Sequence, residues 1–281
     1  MTTLQKVIKY LSIIFGIFLI FVIVSGVFGI GYSINKLFAS NKNTNIIKEI
    51  ISDVKDNDKE EIKNLEVNEE FNNIKIDLTY SNLEILKGNL KIESNSDNIV
   101  TKIKDNKLII KEKNTWNIKL KDKQKVILYL PNNIELNDVE IDNDTGKVYI
   151  ENIIANNIEL DLGAGSTSIN NIISNDTKID TGAGTLNINN GIINNLDLDL
   201  GVGKTTINAK ITGNNKIDLG VGSFYLNVLD NISNYKLKIE KGIGKILIND
   251  EEIKSDTTLG TGNNIINISS GVGSINIDFE E

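Results

Sequence analysis

The chain of 281 residues contains no cysteine, no histidine and no arginine, and it has a single proline. The missing histidine and cysteine exclude a Ser-His-Asp triad, a cysteine nucleophile, a zinc site built from thiolates or imidazoles, and disulfide bonds. All 30 basic residues are therefore lysines, and 38 acidic residues give a formal net charge of −8. Because nucleic-acid binding depends on clustered cationic side chains, this balance argues against a nucleic-acid partner.

One long segment lacks charge altogether. Residues 10–35, between Lys9 and Lys36, are 26 residues without a charged side chain. As a helix they would extend about 39 Å, which exceeds the roughly 30 Å hydrocarbon layer of a bilayer. The apolar run is longer than a signal-peptide core and has no small-residue cleavage site, so we expect an uncleaved, single-pass transmembrane helix. Residues 1–9 are then a short cytoplasmic tail, and the rest of the chain is expected to be extracellular.

Residues 36–65 are predicted to form a linker or stalk. Aliphatic residues recur at helical spacing over residues 46–54, which indicates a short helix. The same stripe is also compatible with a helix that binds a partner or lies on the membrane surface.

Residues 66–131 are predicted to be a β region, because apolar residues alternate with polar ones. Asp105 and Asn106 lie between two alternating runs and predict a tight hairpin turn. Pro131 follows a run of strand-forming residues and should end that strand. We interpret Trp116, the only tryptophan, as a packing residue, since no second aromatic residue accompanies it.

Residues 132–281 carry a G-x-G unit that recurs seven times. Successive units begin 19, 19, 19, 22, 18 and 11 residues apart, and a fixed period of this size is typical of a repeat architecture. No unit has the G-x-G-x-x-G pattern between a strand and a helix that a dinucleotide site needs. The glycines are Gly163 and Gly165, Gly182 and Gly184, Gly201 and Gly203, Gly220 and Gly222, Gly242 and Gly244, Gly260 and Gly262, and Gly271 and Gly273.

Other residue types recur at fixed distances from these glycines. An aliphatic residue stands six positions after the first glycine of every unit, and asparagine follows it in six units. Units this short cannot bury both faces alone, so we expect an all-β, single-stack β-solenoid, β-helix-like, with coils of about 19 residues stacked about 4.8 Å apart. Glycine would form its turns, and asparagine would form corners with stacked amides. The repeated asparagines are Asn170, Asn189, Asn208, Asn227, Asn249 and Asn267.

Aspartate precedes the first glycine by two residues in four units. These residues are Asp161, Asp180, Asp199 and Asp218. Coils in register would align them as a row of like charges, which neighbouring strands disfavour. A Ca²⁺ ion would relieve the repulsion, and so would ion pairs with Lys178 and Lys216, which share the parity of Asp180 and Asp218. We favour the lysines, because the Ca²⁺-binding repeat G-G-x-G-x-D is absent.

The chain resembles the bacterial putative-adhesin or toast-rack family of envelope proteins over about residues 70 to 281. The resemblance rests on Ile-Lys-Ile-Asp-Leu at residues 74–78, on Ile-Leu-Tyr-Leu-Pro at 127–131, and on Ile-Asp-Asn-Asp-Thr-Gly-Lys-Val at 141–148, which leads into the G-x-G coils. It implies a one-rail β-solenoid on a membrane anchor, in a family linked to envelope-stress sensing and surface interaction. It brings no catalytic residues.

These observations predict a non-catalytic, membrane-anchored module that binds a protein or a cell-wall polymer at the cell surface, without a cofactor. Two alternatives are a sensor that signals through its anchor helix and a carbohydrate-active enzyme that uses paired carboxylates. Strand parity places Phe224 inside and Tyr225 outside, so Tyr225 is a candidate contact residue. The sequence leaves the oligomeric state open.

Overall fold

The computed structural model describes residues 63–65, 70–113, 124–132, 134–254 and 256–280. They all lie within one compact unit, Glu60–Glu281. In this part of the chain no helix is long and apolar enough to cross a membrane. The predicted transmembrane segment 10–35, the stalk helix and Trp116 lie outside the described residues.

The described residues form an all-β unit with eighteen strands and one turn of 3-10 helix, Ile232–Asn234. The strands are β1 (Lys63–Leu65), β2 (Asn73–Leu78), β3 (Asn82–Lys87), β4 (Lys91–Ser94), β5 (Ile99–Lys104), β6 (Lys107–Glu112), β7 (Lys125–Leu130), β8 (Leu136–Ile150), β9 (Ile153–Ile169), β10 (Ile172–Ile188), β11 (Gly191–Asn194), β12 (Leu196–Thr212), β13 (Asn214–Val228), β14 (Tyr235–Glu240), β15 (Ile243–Ile248), β16 (Glu251–Ile253), β17 (Thr257–Leu259) and β18 (Asn264–Phe279).

The long strands stack in parallel with a register shift of one repeat. Ile169 of β9 lies opposite Ile188 of β10, and Asp180 of β10 lies opposite Asp199 of β12. This confirms the predicted solenoid with 19-residue coils for β9, β10, β12 and β13. β8 belongs to the same stack, with Gly146 opposite Gly165. The G-x-G pattern did not reveal this coil, because Asp144 occupies the position of the first glycine.

The layers do not follow the order of the chain at either end. At one end, β2 and β3 lie between β8 and an outermost layer made of β6 and β7. At the other end, β18 lies between β13 and an outermost layer made of β14 and β15. The unequal spacings of the last three G-x-G units reflect this insertion.

Aliphatic columns run through the stack. One column contributes a buried residue from each of eight consecutive layers: Ile76, Ile141, Leu160, Ile179, Leu198, Ile217, Ile268 and Ile239. A second contains the aliphatic residues six positions after the first glycine of six units, together with the residues of β3 and β8 that align with them: Ile85, Ile150, Ile169, Ile188, Ile207, Leu226, Ile277 and Ile248. Burying each such side chain stabilises the fold by roughly 1.5–3 kcal/mol, so these columns are its main source of stability.

Antiparallel strands cover both ends of the stack. β4 pairs with β7 and β5 pairs with β6 at one end, while β17 pairs with β14 and β16 pairs with β15 at the other. Asp105 and Asn106 have positive φ angles, 52° and 59°, which confirms the predicted hairpin turn between β5 and β6. Pro131 follows β7 directly, as predicted. Residues 63–65, expected in the linker, form the edge strand β1, which pairs with β4.

Candidate binding surface

The coil that contains β9 has three corners, at which the inward-facing parity of the side chains changes. In β9, Leu160 and Leu162 are buried before the glycine corner, and Thr167 and Ile169 are buried after it. The inward parity changes across Gly163–Gly165, which marks the bend. The other two corners of this coil are formed by asparagine pairs, at 156–157 and 170–171. The prediction that Leu160 and Leu162 point inward and Asp161 outward is confirmed.

Close approach between layers requires glycine at the glycine corner. At Gly203, φ is +151°, and a Cβ atom would lie 1.8 Å from the carbonyl oxygen of Gly184 in the layer below. The predicted turn glycines that align in this way are Gly163, Gly165, Gly182, Gly184, Gly201, Gly203, Gly220, Gly222, Gly271, Gly273, Gly242 and Gly244, in spatial order. Gly260 and Gly262 do not belong to this corner, because they lie in the connection from β17 to β18.

Asparagine side chains form hydrogen-bonded rows at the other corners. Asn189 Nδ2 donates to Asn170 Oδ1 at 2.9 Å, and Asn208 lies opposite Asn227. Of the six repeated asparagines, Asn249 is the one with a positive φ. Asn267 is displaced from the row, because it lies in β18 opposite Lys216. Asn267 therefore stands at the same distance from a glycine as the other repeated asparagines without lying in their row.

Three further amide rows were not predicted, although each also follows the period of 19. The first joins Asn152, Asn171 and Asn190, with bonds of 2.7 and 3.1 Å. The second joins Asn137, Asn156 and Asn175, with bonds of 3.2 and 3.0 Å. The third pairs Asn157 with Asp138 at 2.7 Å and Asn195 with Asp176 at 3.1 Å. These ladders supply partners for corner amides at successive layers.

The predicted acidic row exists and is longer than four residues. Asp161, Asp180, Asp199 and Asp218 align with each other and with two further aspartates, Asp77 and Asp142. Lys178 Nζ lies 2.8 Å from Asp180, and Lys216 Nζ lies 2.5 Å from Asp218, as the lysine interpretation predicted. No group of three or more acidic side chains in the described ranges is placed to hold a metal ion.

Electrostatic repulsion within the row is visible at Asp142. Partial burial, together with the neighbouring charges of Asp161, Asp144 and Asp77, raises the pKa of the Asp142 carboxyl above its ordinary value. The row is therefore an acidic face with incomplete compensation.

The glycine corner carries an exposed apolar ridge, formed by the middle residues of the G-x-G units. Val221, Val272 and Ile243 occupy successive layers and are 46%, 48% and 74% exposed. Phe224 is 2% exposed and Tyr225 is 41% exposed, which confirms the predicted parity. Lys204 Nζ lies 5.2 Å from the centroid of the Tyr225 ring.

Neither of two concavities on the described surface resembles a small-molecule site. The cavity under the glycine corner has a volume of about 50 Å³. Sites for organic ligands usually measure about 300–1,000 Å³, so this one is too small. An open groove of about 470 Å³ lies on the acidic face, between Lys107 and Asp197. Because it combines Glu140, Glu159 and Lys178 with little enclosure, it is part of a charged surface rather than a pocket.

A family model described as Toastrack DUF4097 matches residues 53–281 of the chain. The chain belongs to the Toastrack DUF4097 family. No curated protein matches the chain.

Solved structures with a similar outline include three bacterial proteins. A putative cell adhesion protein from Clostridium sporogenes is 16% identical, with a TM-score of 0.32 over 78% of this chain and 98% of that chain. A putative adhesin from Bacteroides fragilis is 15% identical, with a TM-score of 0.43 over 77% and 95%. A putative adhesin from Parabacteroides distasonis is 16% identical, with a TM-score of 0.34 over 77% and 96%.

One structural device of this Toastrack unit gave no signal in the sequence. Glu112, at the end of β6, is buried, and its Oε2 accepts hydrogen bonds from the backbone N–H groups of Thr79, Tyr80 and Ser81 at 2.8, 2.9 and 3.2 Å. These three residues connect β2 to β3, where other layers have a glycine corner. A carboxylate from the next layer thus stabilises a corner that contains no glycine.

Proposed function

We propose that the chain is a non-catalytic, membrane-anchored module that displays its solenoid on the cell surface and binds a protein or a cell-wall polymer there. The observation that carries this proposal is the alignment of side chains of one chemical type in straight rows over successive layers. Such rows form long, uniform faces, which suit extended partners. Membership of the Toastrack family supports a binding role of this kind.

The acidic face favours binding over hydrolysis. Glycosidases need one carboxyl that acts as an acid and a second that acts as a base or nucleophile, in distinct environments. Here the aspartates repeat in every layer from Asp142 to Asp218, and lysines pair with two of them. This repetition of one carboxylate per layer gives an extended charged face, which suits binding of an extended partner better than cleavage at one bond.

The location in this proposal rests on residues 10–35, and a cysteine-labelling experiment tests it. The native chain has no cysteine, so a single introduced thiol reports its own position. Lys102 on β5 is exposed, and Lys102→Cys should react with a membrane-impermeant maleimide on intact cells.

The matched control is Thr3→Cys, in the tail expected on the cytoplasmic side. It should react only after lysis. If Lys102→Cys also requires lysis, the solenoid is intracellular and the proposed surface role is wrong.

A further inference from the structure

The topology aligns three lysines that are far apart in the sequence. Lys147, Lys204 and Lys245 occupy the position directly after the second glycine in their layers, and four hydroxyl residues fill the layers between them. In spatial order this lysine–hydroxyl row is Lys147, Ser166, Thr185, Lys204, Ser223, Ser274 and Lys245. This spatial order arises because β18 lies between β13 and β15, so that Ser274 lies between Ser223 and Lys245 in the row.

The row is straight and evenly spaced. A lysine occurs at every third layer, so neighbouring lysines are separated by about 14 Å along the stack, and the row measures about 29 Å. Thr185 Oγ1 donates to Ser166 Oγ at 2.9 Å, and Ser274 Oγ donates to Ser223 Oγ at 3.1 Å. Ser166 and Ser223 act as acceptors in these bonds, so their own O–H groups can donate to a ligand oxygen.

The surroundings of the row favour an anion. From the first glycine to the aliphatic residue six positions later, the six layers with a complete G-x-G contain no acidic residue, although the chain has 38. Asp144 is an acidic residue at this corner in the layer of Lys147, and the buried Glu112 lies at the corresponding corner of the adjacent β2–β3 layer. The three lysines are exposed, and among the described residues neither Lys147 nor Lys245 forms an ion pair. The acidic face lies on the other side of the glycine corner, so charge is separated across it.

The shape of the surface favours a linear partner over a membrane. The apolar ridge beside the row is one residue wide, with Ala164, Ala183 and Val202 leading to Val221, Val272 and Ile243. Helices that bind in the membrane interface bury a broad apolar face that includes large side chains. A narrow ridge with a parallel line of cations instead matches a single extended chain, whose carbon backbone contacts the ridge and whose anions meet the lysines.

We propose that the lysine–hydroxyl row binds a linear polymer with phosphate groups, extended along the axis of the solenoid. Lysine serves as a point charge for phosphate, and the serine and threonine hydroxyls donate to phosphate oxygens between the lysines. This rests on the proposed function and specifies the polymer that the surface module binds.

The test is a titration of the full chain, in a neutral detergent at low ionic strength, with long-chain inorganic polyphosphate, followed by calorimetry. The triple variant Lys147→Gln, Lys204→Gln, Lys245→Gln should raise the Kd at least tenfold. A matched variant, Lys87→Gln, Lys102→Gln, Lys238→Gln, removes three exposed lysines elsewhere and should change the Kd less than twofold. Tripolyphosphate, which is too short to extend along the whole row, should bind at least tenfold more weakly than the long polymer, and added salt should weaken polymer binding.

If the two triple variants lose the same amount of affinity for polyphosphate, the effect comes from net charge alone, and the proposal is overturned. Full binding by the first variant would also overturn it. Binding to phosphatidylglycerol vesicles without binding to polyphosphate would assign the surface to a membrane instead. Each of these results leaves the maleimide test of the surface location unaffected, so failure of one proposal is distinguishable from failure of the other.

Discussion

A single buried carboxylate holds the corner between β2 and β3. Glu112 accepts three backbone hydrogen bonds, from Thr79, Tyr80 and Ser81. Glu112→Gln replaces the charged acceptor by a neutral one and brings an amide N–H₂ into a site made of donors. We expect the free energy of unfolding to fall by about 1.5–3 kcal/mol, measured by urea unfolding with far-UV circular dichroism.

Ser81→Ala is the control, because the Ser81 hydroxyl is buried without a hydrogen-bond partner among the described residues. Its removal leaves the backbone bond to Glu112 in place. The free energy of unfolding should therefore change by less than about 0.5 kcal/mol. If the two variants are equally stable, Glu112 does not stabilise this corner.

The acidic row makes stability depend on pH through Asp142. Burial and the neighbouring carboxylates raise the pKa of Asp142 in the folded state above its value of about 3.9 in an unfolded chain. The folded state then holds its proton more tightly, so this residue lowers stability as pH rises through that window, and the full cost is present above the raised pKa. Asp142→Asn should stabilise the protein by roughly 0.5–1 kcal/mol at pH 7 and have no effect near pH 3. A gain of the same size at both pH values would contradict an electrostatic cause.

At the scale of the strand, the glycine corner should tolerate substitution at its exposed middle position but not at its second glycine. Gly203→Ala would place a Cβ 1.8 Å from the Gly184 carbonyl oxygen and force alanine to a φ of +151°. We expect it to cost more than about 3 kcal/mol of unfolding free energy, because both backbone strain and displacement of a layer are required. Ala164→Val, in the exposed middle position where other layers already carry valine, should change stability by less than about 0.5 kcal/mol. A well-folded Gly203→Ala variant in thermal unfolding would show that the layers separate easily.

The sequence predicts best those elements that are determined by the local pattern of residues. The period of 19, the inward columns and the hairpin at Asp105–Asn106 follow from local patterning, and the structure has all of them. Asn267 and Gly260 fit the same pattern but lie elsewhere, because a short repeat motif does not specify which strand lies beside it. The lysine–hydroxyl row was invisible for the same reason, since Ser274 and Lys245 become neighbours only through pairing of β18 with β15.

At the scale of the whole unit, both ends of the stack follow one plan. An outermost layer, made of β6 and β7 or of β14 and β15, lies beyond an inserted layer and is covered by antiparallel strands. No local motif encodes this plan, because it depends on pairing between strands that are distant in the sequence. Among the described residues it leaves no long parallel strand edge open for association with other chains.

The insertions also determine how the unit carries mechanical load. A pull applied along the chain between Asn73 and Phe279 loads β2 and β18. Each of these strands is hydrogen-bonded to a parallel neighbour on both sides, so neither can be peeled from an open edge. Tension must instead shear two ladders at once, while the outermost layers remain outside the path of the force.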